Sequence, residues 1–262
     1  MAGAGIAAEK EVPRTRLRRQ WRRGVRSFFD FIRGDGGLES GFEMMLALAG
    51  PTVQREFDRF AASEVGRRLL AESPRRDLNE LLADRAALAA MPKGSFADAY
   101  LDYMGDAGMG TSNDFLHAAG LERKAAEYGW SSDQLWFVRR MANSHDLFHV
   151  VSGYDRSILG EVGVNAYTAG QMPMLPLQLF VLYLLTLKPS APLEWSRFLA
   201  RSYRHGRDTP PLSCVEYEAM LELPMEEARR RMGVAPLEEV HPNGFPGCGR
   251  TLEKLERKIN VK

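Results

Sequence analysis

Apolar residues recur at steps of three and four along almost the entire chain, and this spacing constrains the fold more than any other feature. Between residues 135 and 151 the spacing is that of an amphipathic helix. The sequence contains no run of alternating Val, Ile, Thr and aromatic residues bounded by turn signals. Proline and glycine divide the pattern into about ten segments. We therefore predict an all-α fold, a single helical domain of about ten helices, for which 262 residues supply ample core.

Two histidines and two carboxylates follow a spacing that can bring them to one ion. His145, Asp146 and His149 fall on one helical stripe, since residues four apart are separated by about 40° around a helix. Glu161 lies too far along the chain to share that helix. A break at residues 153–155, followed by a second helix, can return its carboxylate to the histidines. The expected arrangement is a metal site between two central helices, with an open position.

The residues alone leave two interpretations of this cluster open. A histidine pair four residues apart is often an ordinary part of a helix surface or core. The adjacent Asp146 and the apolar surroundings favour a metal, because a polar cluster inside an apolar shell is costly unless it is paired or coordinated.

A basic segment precedes the domain. Between residues 14 and 26, seven arginines are interleaved with apolar residues at steps of three and four, a pattern typical of a helix on an anionic membrane. The apolar face can equally pack on the domain, and an organelle import sequence is a third interpretation, against which the acids at its start count. We divide the chain into this partly disordered basic amphipathic segment, residues 1–37, a helical domain, residues 38–235, and a tail, residues 236–262.

Composition narrows the class of protein. The chain is 45% hydrophobic and 26% charged, with a net charge of +1, and this balance argues against a nucleic-acid binder. No apolar run reaches the roughly 18 residues that span a bilayer. The first residues do not resemble a secretory signal peptide. The longest apolar stretch, residues 173–187, is predicted to be either a core helix or one wall of an apolar tunnel.

The metal motif and its flanking segments resemble one known family. The spacing H-D-x-x-H, eleven residues and E, from His145 to Glu161, resembles the signature of the Coq4 family of coenzyme Q (ubiquinone) biosynthesis proteins. Further segments are similar in the same order: residues 67–101, 159–163, 170–174, 202–207, 211–212 and 216–218. The resemblance covers residues 38–235 and leaves out the basic N-terminal segment.

The resemblance implies a role in coenzyme Q biosynthesis. It implies an enzyme of the lyase class, a decarboxylase that removes the ring C1 carboxylate of a polyprenylated hydroxybenzoate. In an oxidative version of the reaction a hydroxyl takes the place of the carboxylate. His145, Asp146, His149 and Glu161 are then the metal ligands, and Asp146 and Glu161 are also catalytic. Zinc is the expected divalent ion, with iron(II), cobalt and magnesium as alternatives that the ligand pattern does not exclude.

The resemblance also indicates how the substrate is held and where. Arg204 and Arg207 are predicted to bind a carboxylate through paired N–H donors. Met172 and Phe180 are predicted to line an apolar lipid-binding cavity for the polyprenyl tail. The expected partners are the polyprenylated benzoquinone precursor, other coenzyme Q biosynthesis proteins and the membrane surface, with no nucleic acid and with a homodimer left open. The expected location is the bacterial cytoplasm, peripheral to the inner membrane, or the matrix side of the mitochondrial inner membrane.

Two other functions stay open at this point. A non-catalytic scaffold would bind the lipid intermediate and organise the biosynthetic complex at the membrane, and it would tolerate the loss of Glu161. An unrelated metal-dependent hydrolase would need a third histidine ligand, for which His205 is the candidate. The flanking similarities argue against the hydrolase.

Overall fold

The chain is all-α wherever the structure describes it. The structure is a computed structural model, and it describes residues 17–33, 37–105, 120–186 and 192–246. No β-strand occurs in these ranges, so the predicted all-α fold is confirmed. The helices are α1 Trp21–Arg33, α2 Gly37–Ala62, α3 Glu64–Ala71, α4 Leu78–Ala83, α5 Arg85–Ala89, α6 Phe96–Met104, α7 Leu121–Glu127, α8 Ser132–Asn143, α9 His145–Ser152, α10 Ile158–Gln171, α11 Leu175–Thr186, α12 Pro192–Asp208, α13 Met225–Met232 and α14 Leu237–Val240, with 3-10 turns at Leu212–Cys214 and Tyr217–Ala219.

The described ranges contain fourteen α-helices rather than about ten, because single residues divide several predicted helices. The sequence predicts one long helix from Ser131 through both histidines of the motif. The N-terminal cap at Ser131 is confirmed, but the helix ends before Ser144 and α9 begins after it. The Ser144 hydroxyl donates to the Met141 carbonyl oxygen at 2.8 Å, which tightens the chain into a turn at this point. The predicted helix at residues 112–128 is described only from Leu121, and the rest of it, with His117, lies outside the described residues.

Pro51 fastens α1 to α2. The sequence predicts a helix start at Pro51, but the proline lies inside α2. Because proline has no N–H, the carbonyl of Ala47, four residues earlier, has no helical partner. That carbonyl accepts the N–H of Gln20 at 2.7 Å. The interruption in α2 therefore holds the start of α1.

Helices α10 and α12 pack closely and run in the same direction. Gly163 of α10 approaches Phe198 of α12, and further along, Tyr167 approaches Gly206. A Cβ at Gly206 would come within 1.9 Å of the Tyr167 carbonyl oxygen, so no larger residue fits there. This close packing fixes α10, the helix that carries Glu161.

The largest apolar core surrounds α9. Six of the eight residues of α9 are buried, in an unbroken run from Leu147 to Ser152 that includes its apolar side chains. Neighbouring helices and turns add further fully buried side chains to this core, among them Phe96, Tyr154, Val164, Tyr167, Leu212 and Tyr217. The motif histidines therefore lie at the edge of the main core rather than on an isolated surface helix.

A buried ion pair connects α8 to the 3-10 turns. Arg140 donates to both carboxylate oxygens of Glu218, at 2.6 and 2.8 Å, and to the Val215 carbonyl oxygen at 3.1 Å. The side chains are only 3% and 8% exposed. Burial raises the pKa of Glu218, but the hydrogen bonds from Arg140 outweigh it and hold that pKa below its usual range.

Helix α11 is half-buried although its sequence is apolar on every side. Leu177 is buried, Phe180 and Val181 pack against the main core, and Leu182 is 57% exposed. The helix is thus neither a fully enclosed core element nor a surface helix with a polar face. The apolar cavity expected beside it stays a prediction. Within the described ranges, no helix combines the length and the hydropathy required to cross a bilayer.

Candidate metal centre

The turn between α9 and α10 returns the chain to the histidines. Gly153 ends α9 with a φ of +83°, and the Ser157 side chain begins α10 by accepting the N–H of Gly160 at 3.1 Å. Asp155 accepts the N–H of Ser157 at 3.0 Å. A Cβ at Gly160 would come within 1.9 Å of the Asp155 carbonyl oxygen, so glycine is required there. These contacts place Glu161, in the first turn of α10, beside α9.

Three side chains from the two helices meet at this point. The Glu161 carboxylate lies 3.3 Å from Nε2 of His149 and 3.8 Å from Nε2 of His145. The imidazole rings are perpendicular, with centroids 5.0 Å apart. One potential ligand atom of each residue lies within 4.8 Å of the other two. The structure therefore brings together three of the four predicted ligands.

Asp146, the fourth predicted ligand, does not belong to this group of three. Its side chain is half-buried beside His145, and its charge acts on two tyrosines of α6. Burial first, and then the Asp146 charge, raises the pKa of Tyr100 to about 12. Tyr103 has its pKa raised by burial and by the charges of Glu161 and Asp146. A ligand role for Asp146 stays a prediction, and the structure places its charge at the α6 side of the site.

His149 is the most constrained of the three residues. Its side chain is fully buried, and its Nδ1 lies 2.9 Å from the backbone carbonyl oxygen of Tyr154. Because a carbonyl oxygen only accepts, Nδ1 carries the proton, and Nε2 of the neutral ring presents a lone pair. Tyr103 stacks on the ring with centroids 5.1 Å apart and planes 27° apart. Fixing of the second ring nitrogen by a backbone carbonyl is typical of metal-binding histidines.

The His149 lone pair suits a divalent cation. Nε2 is buried and has no hydrogen-bond partner among the described residues, although a Glu161 oxygen lies 3.3 Å away. Two electron-rich atoms at this separation repel each other unless a proton or a metal ion lies between them. Donors about 2.0–2.2 Å from a tetrahedral zinc ion are themselves about 3.3 Å apart. The residues present therefore fit a zinc-like ion held by His145, His149 and Glu161.

His145 and Glu161 also shift each other's pKa values. Burial lowers the pKa of His145, but the Glu161 carboxylate, 3.8 Å from its Nε2, outweighs this and raises the pKa above the usual histidine value. Burial raises the pKa of Glu161, and the imidazoles outweigh it, holding the pKa well below its usual range. A proton and a metal ion thus compete for the same atoms, because metal ligands must be deprotonated.

The site opens on one side only. His149 has 0% of its side chain exposed, whereas His145 has 36% and Glu161 has 47%. His149 therefore forms the floor, and the other two ligands form the mouth. A coordination position left open by three protein ligands would face this mouth.

Comparison with known protein families gives the same assignment as the motif. The model of the family described as Coenzyme Q (ubiquinone) biosynthesis protein Coq4 matches residues 42–238, which contain all three candidate ligands. The chain belongs to the Coq4 family.

Several curated proteins are similar to this Coq4-family chain. The ubiquinone biosynthesis protein COQ4 homolog, mitochondrial, of Bos taurus is 26% identical over 197 residues, covering 72% of this chain and 70% of that protein. The mitochondrial COQ4 protein of Zygosaccharomyces rouxii is 29% identical over 243 residues, covering 91% of this chain and 67% of that protein. That of Clavispora lusitaniae is 28% identical over 223 residues, covering 80% and 66%, so the chain spans about two thirds of these relatives.

A crystal structure of a Nostoc punctiforme protein, provisionally assigned to ubiquinone biosynthesis, has a similar fold. Its TM-score is 0.53 at 19% identity, and the match covers 82% of this chain and 99% of that one. This likeness supports the all-α fold alone.

The predicted substrate-binding arginines lie on α12. Arg204 is exposed and lines a surface cavity of about 290 Å³ that also includes Arg201 and His205. Arg207 is exposed and pairs with Asp208 at 2.8 Å. The substrate-binding role of both arginines stays a prediction.

The other predicted residues lie closer to the core. Met172 and Phe180 are partly buried against the main core, and the Phe180 ring lies 6.1 Å from that of Phe31. Their role in lining a lipid cavity stays a prediction. His205 bonds to the Ala235 carbonyl oxygen through Nε2 at 3.0 Å and is absent from the described ligand group. The hydrolase interpretation therefore lacks its third histidine there.

Two tyrosines of the site are not identified by sequence reasoning. Tyr103 stacks on His149 from α6, more than forty residues earlier in the chain, and no local pattern indicates this contact. Tyr154 contributes a backbone oxygen, to which its side chain gives no clue. Its position is the one clue in the sequence. Tyr154 follows directly after the helix that bears the motif, and the residues at the end of a helix have carbonyl groups without helical partners.

Proposed function

We propose that this Coq4-family chain is a metal-dependent enzyme of coenzyme Q biosynthesis that removes the ring C1 carboxylate of a polyprenylated hydroxybenzoate. The proposal rests chiefly on one observation. The buried Nε2 of His149, oriented by Tyr154, presents a lone pair to the Glu161 carboxylate and has no hydrogen-bond partner in the described ranges. A divalent cation between these two atoms would remove the cost of leaving a buried polar atom unpaired.

We assign a different role to each residue of the site. His149 would hold a divalent ion from the buried side of the site in a fixed orientation, and His145 and Glu161 would hold it from the exposed side. A divalent ion bound there supplies Lewis acidity toward a carboxylate or phenolate oxygen. We assign to Asp146, which is beside the group and not within it, the role of accepting the phenolic proton of the substrate. The Glu161 side chain is 47% exposed, so it would hold the ion from the side that a substrate can reach.

The chemistry determines which ion is required. Loss of the carboxylate as CO₂ breaks the C1–carboxyl bond and leaves an electron pair on the ring carbon, which a proton can take up. In the oxidative version a hydroxyl replaces the carboxylate, and two electrons pass to an oxidant of the dioxygen class. Zinc serves the first version, with magnesium or cobalt as substitutes, whereas the second is suited to iron(II), for which two histidines and a carboxylate are the usual open site.

The surroundings of the site suit an apolar, membrane-derived substrate. Helix α11 follows α10 directly and leaves Leu182 57% exposed beside the partly buried Phe180. We place the polyprenyl tail along this helix, near Met172 and Phe180, and we keep other coenzyme Q biosynthesis proteins as partners. The curated relatives are named mitochondrial. For a eukaryotic source the location is the matrix side of the mitochondrial inner membrane, and for a bacterial source the cytoplasmic side of the inner membrane.

The deciding experiment is complementation of a host that lacks its own Coq4-family protein. Cells expressing the wild type, Glu161→Gln or His149→Asn are compared for quinone and for precursors that retain the C1 carboxylate. Glu194→Gln is the matched control, because Glu194 is an exposed acid in the first turn of α12, as Glu161 is in the first turn of α10. We expect both site variants to fold, to lose metal affinity by more than about tenfold and to accumulate the carboxylated precursor.

A non-catalytic lipid-binding scaffold is the second candidate, favoured by the exposed apolar side chain on α11. It predicts a different result. Site variants that have lost their metal, as measured by elemental analysis, would restore quinone as well as the wild type does. That outcome would remove the catalytic proposal and leave the scaffold.

A further inference from the structure

Helix α1 has two stripes of residues on different sides, and only one of them packs within the fold. Gly24 and Ser27 lie buried on the side that packs against α2. A second stripe is exposed, and its members are Trp21 at 55%, Val25 at 47%, Phe29 at 48% and Ile32 at 38%. These four account for most of the large exposed apolar side chains in the described ranges.

The exposed stripe is continuous and is bordered by cations. At about 100° per residue, its four members span an arc of roughly 80° and a length of roughly 16 Å. Arg22, Arg26 and Arg33 occupy the next 40° or so around the helix. All three are exposed, and the side chain of Arg26 is 86% exposed. The surface of α1 is therefore apolar along one strip and cationic along the adjoining one.

The direction of this surface is fixed by the rest of the molecule. Gln20 donates its N–H to Ala47 of α2, and on the other side of the helix Arg23 pairs with Glu127 of α7 at 2.7 Å. A Cβ at Gly24 would come within 2.4 Å of the Leu48 side chain, so α1 and α2 are in close contact. The helix cannot rotate to bury the stripe without breaking these contacts.

We propose that the stripe of α1 and its arginine row dock the protein on an anionic lipid bilayer, with α1 lying in the plane of the surface. An apolar strip beside a cationic row fits acyl chains beside anionic headgroups. Trp21 at one end of the stripe is the residue type that prefers the boundary between them. The interaction surface comprises only α1 residues, and it does not involve the candidate metal centre.

A second copy of the chain is the competing occupant, and the charges disfavour it. A two-fold interface would bring the same patch against itself. Six arginines from two copies would then approach one another around an apolar contact, and like charges held this close repel. An anionic membrane instead neutralises each of the three.

The docked position connects with the proposed substrate path. At the end of α1, Phe31 contacts Phe180 of α11, the helix along which we place the polyprenyl tail. Docking through α1 would therefore present α11 near the surface from which a lipid substrate comes. This consequence rests on the proposed function, whereas membrane docking itself does not.

The test is sedimentation of the purified full chain with lipid vesicles. Vesicles of phosphatidylcholine with phosphatidylglycerol are compared with vesicles of phosphatidylcholine alone. The main variant is Val25→Glu/Phe29→Glu, which places charge on two exposed positions, and a second replaces Arg22, Arg26 and Arg33 by Gln. Leu193→Glu is the control, because Leu193 is 62% exposed on a different helix. Thermal unfolding establishes that each variant is folded.

We expect the wild type and Leu193→Glu to bind the anionic vesicles equally. The triple arginine variant should bind about a hundredfold more weakly, since each basic residue contributes about tenfold or less near such a surface. Val25→Glu/Phe29→Glu should also lose binding. The proposal is overturned if the wild type stays in solution or if the stripe variants bind as it does. It is also overturned if those variants only convert a dimer into a monomer, as sedimentation velocity would show.

Discussion

Nδ1 of His149 donates to the backbone carbonyl oxygen of Tyr154 at 2.9 Å, and this bond fixes the tautomer of a candidate metal ligand. Tyr154 also lies next to a buried histidine, because its hydroxyl is 3.1 Å from Nε2 of His241. Its backbone thus serves the metal centre, and its side chain serves the packing of α12 and α14. The two roles can be separated by substitution.

Tyr154→Phe is expected to weaken the fold without emptying the metal centre. The substitution removes the hydroxyl near His241 but keeps the carbonyl that orients His149. Loss of the hydroxyl's buried contacts with His241 and, at 3.5 Å, with His205 should lower the free energy of unfolding by about 1–2 kcal/mol. Urea denaturation measures this loss, and elemental analysis of zinc-loaded protein measures metal content. A variant that is as stable as the wild type but poor in metal would contradict this division of roles.

Asp146→Asn is expected to keep the metal and to lose activity. Asp146 is outside the group of three ligand residues, so metal affinity should change by less than about threefold. Mutation of a residue that orients a metal ligand usually lowers the affinity by about 10–100-fold. Removal of an acid–base residue should lower turnover by about 10²–10⁴-fold. Calorimetric zinc titration and precursor accumulation in complemented cells give the two readouts. If zinc affinity falls as far as it does in Glu161→Gln, then Asp146 is a fourth ligand.

The Arg140–Glu218 pair provides a prediction for stability. Arg140→Met leaves a buried carboxylate without its bidentate partner, and the free energy of unfolding should fall by about 3–5 kcal/mol. The double variant Arg140→Met/Glu218→Leu should recover much of this loss, because no buried charge remains unpaired. Urea denaturation of both variants measures the coupling. Additive losses in the double variant would mean that the two side chains act independently.

Two buried histidines should make the protein less stable in mild acid. Burial lowers the pKa of His205 to about 4, and burial together with the nearby His205 lowers that of His241 to about 4. Unfolded, each histidine takes up its proton near pH 6.5. Between about pH 6.5 and 4 the unfolded chain therefore binds more protons than the folded one. The free energy of unfolding decreases as the pH is lowered through this range.

The expected slope is up to about 1.4 kcal/mol per pH unit for each histidine. Urea denaturation midpoints between pH 6 and 5 measure it in the metal-free protein, below the range in which the raised pKa of His145 acts in the opposite direction. His241→Gln should make the curve shallower, whereas Arg204→Gln, a substitution on the exposed side of α12, should leave it unchanged. A wild-type curve that is flat over this range would show that the two histidines titrate normally.

Side-chain spacing alone indicated most of the candidate centre. Residues four apart, such as His145 and His149, lie on the same side of any helix. The glycine-containing turn before Ser157 allows the next helix to bring Glu161 back beside them. The spacing could not place Asp146, because neighbouring residues on a helix point about 100° apart and only the packing of α6 determines which one faces Glu161. It also could not indicate Tyr103, a contact made entirely by tertiary packing.

Helix boundaries were less predictable than helix positions. Pro51 has a strong local preference for a helix start, yet buried neighbours on both sides, Leu48 and Phe57, keep α2 continuous through it. Ser144 carries no strong signal for a break, and its turn depends on a hydroxyl bond that competes with the helix. The sequence also could not predict whether the apolar stripe of α1 is buried or exposed, since the same amphipathic pattern is compatible with both.

The one-sided opening of the centre has a practical consequence for anyone who purifies the protein. With His149 sealed behind the other two ligands, an ion can enter and leave only past His145 and Glu161, where chelators and free imidazole also have access. A pair of histidines with one carboxylate accepts nickel readily, because nickel(II) binds such nitrogen and oxygen donors tightly. Protein eluted from a nickel column with imidazole should therefore carry the column's ion rather than the cell's.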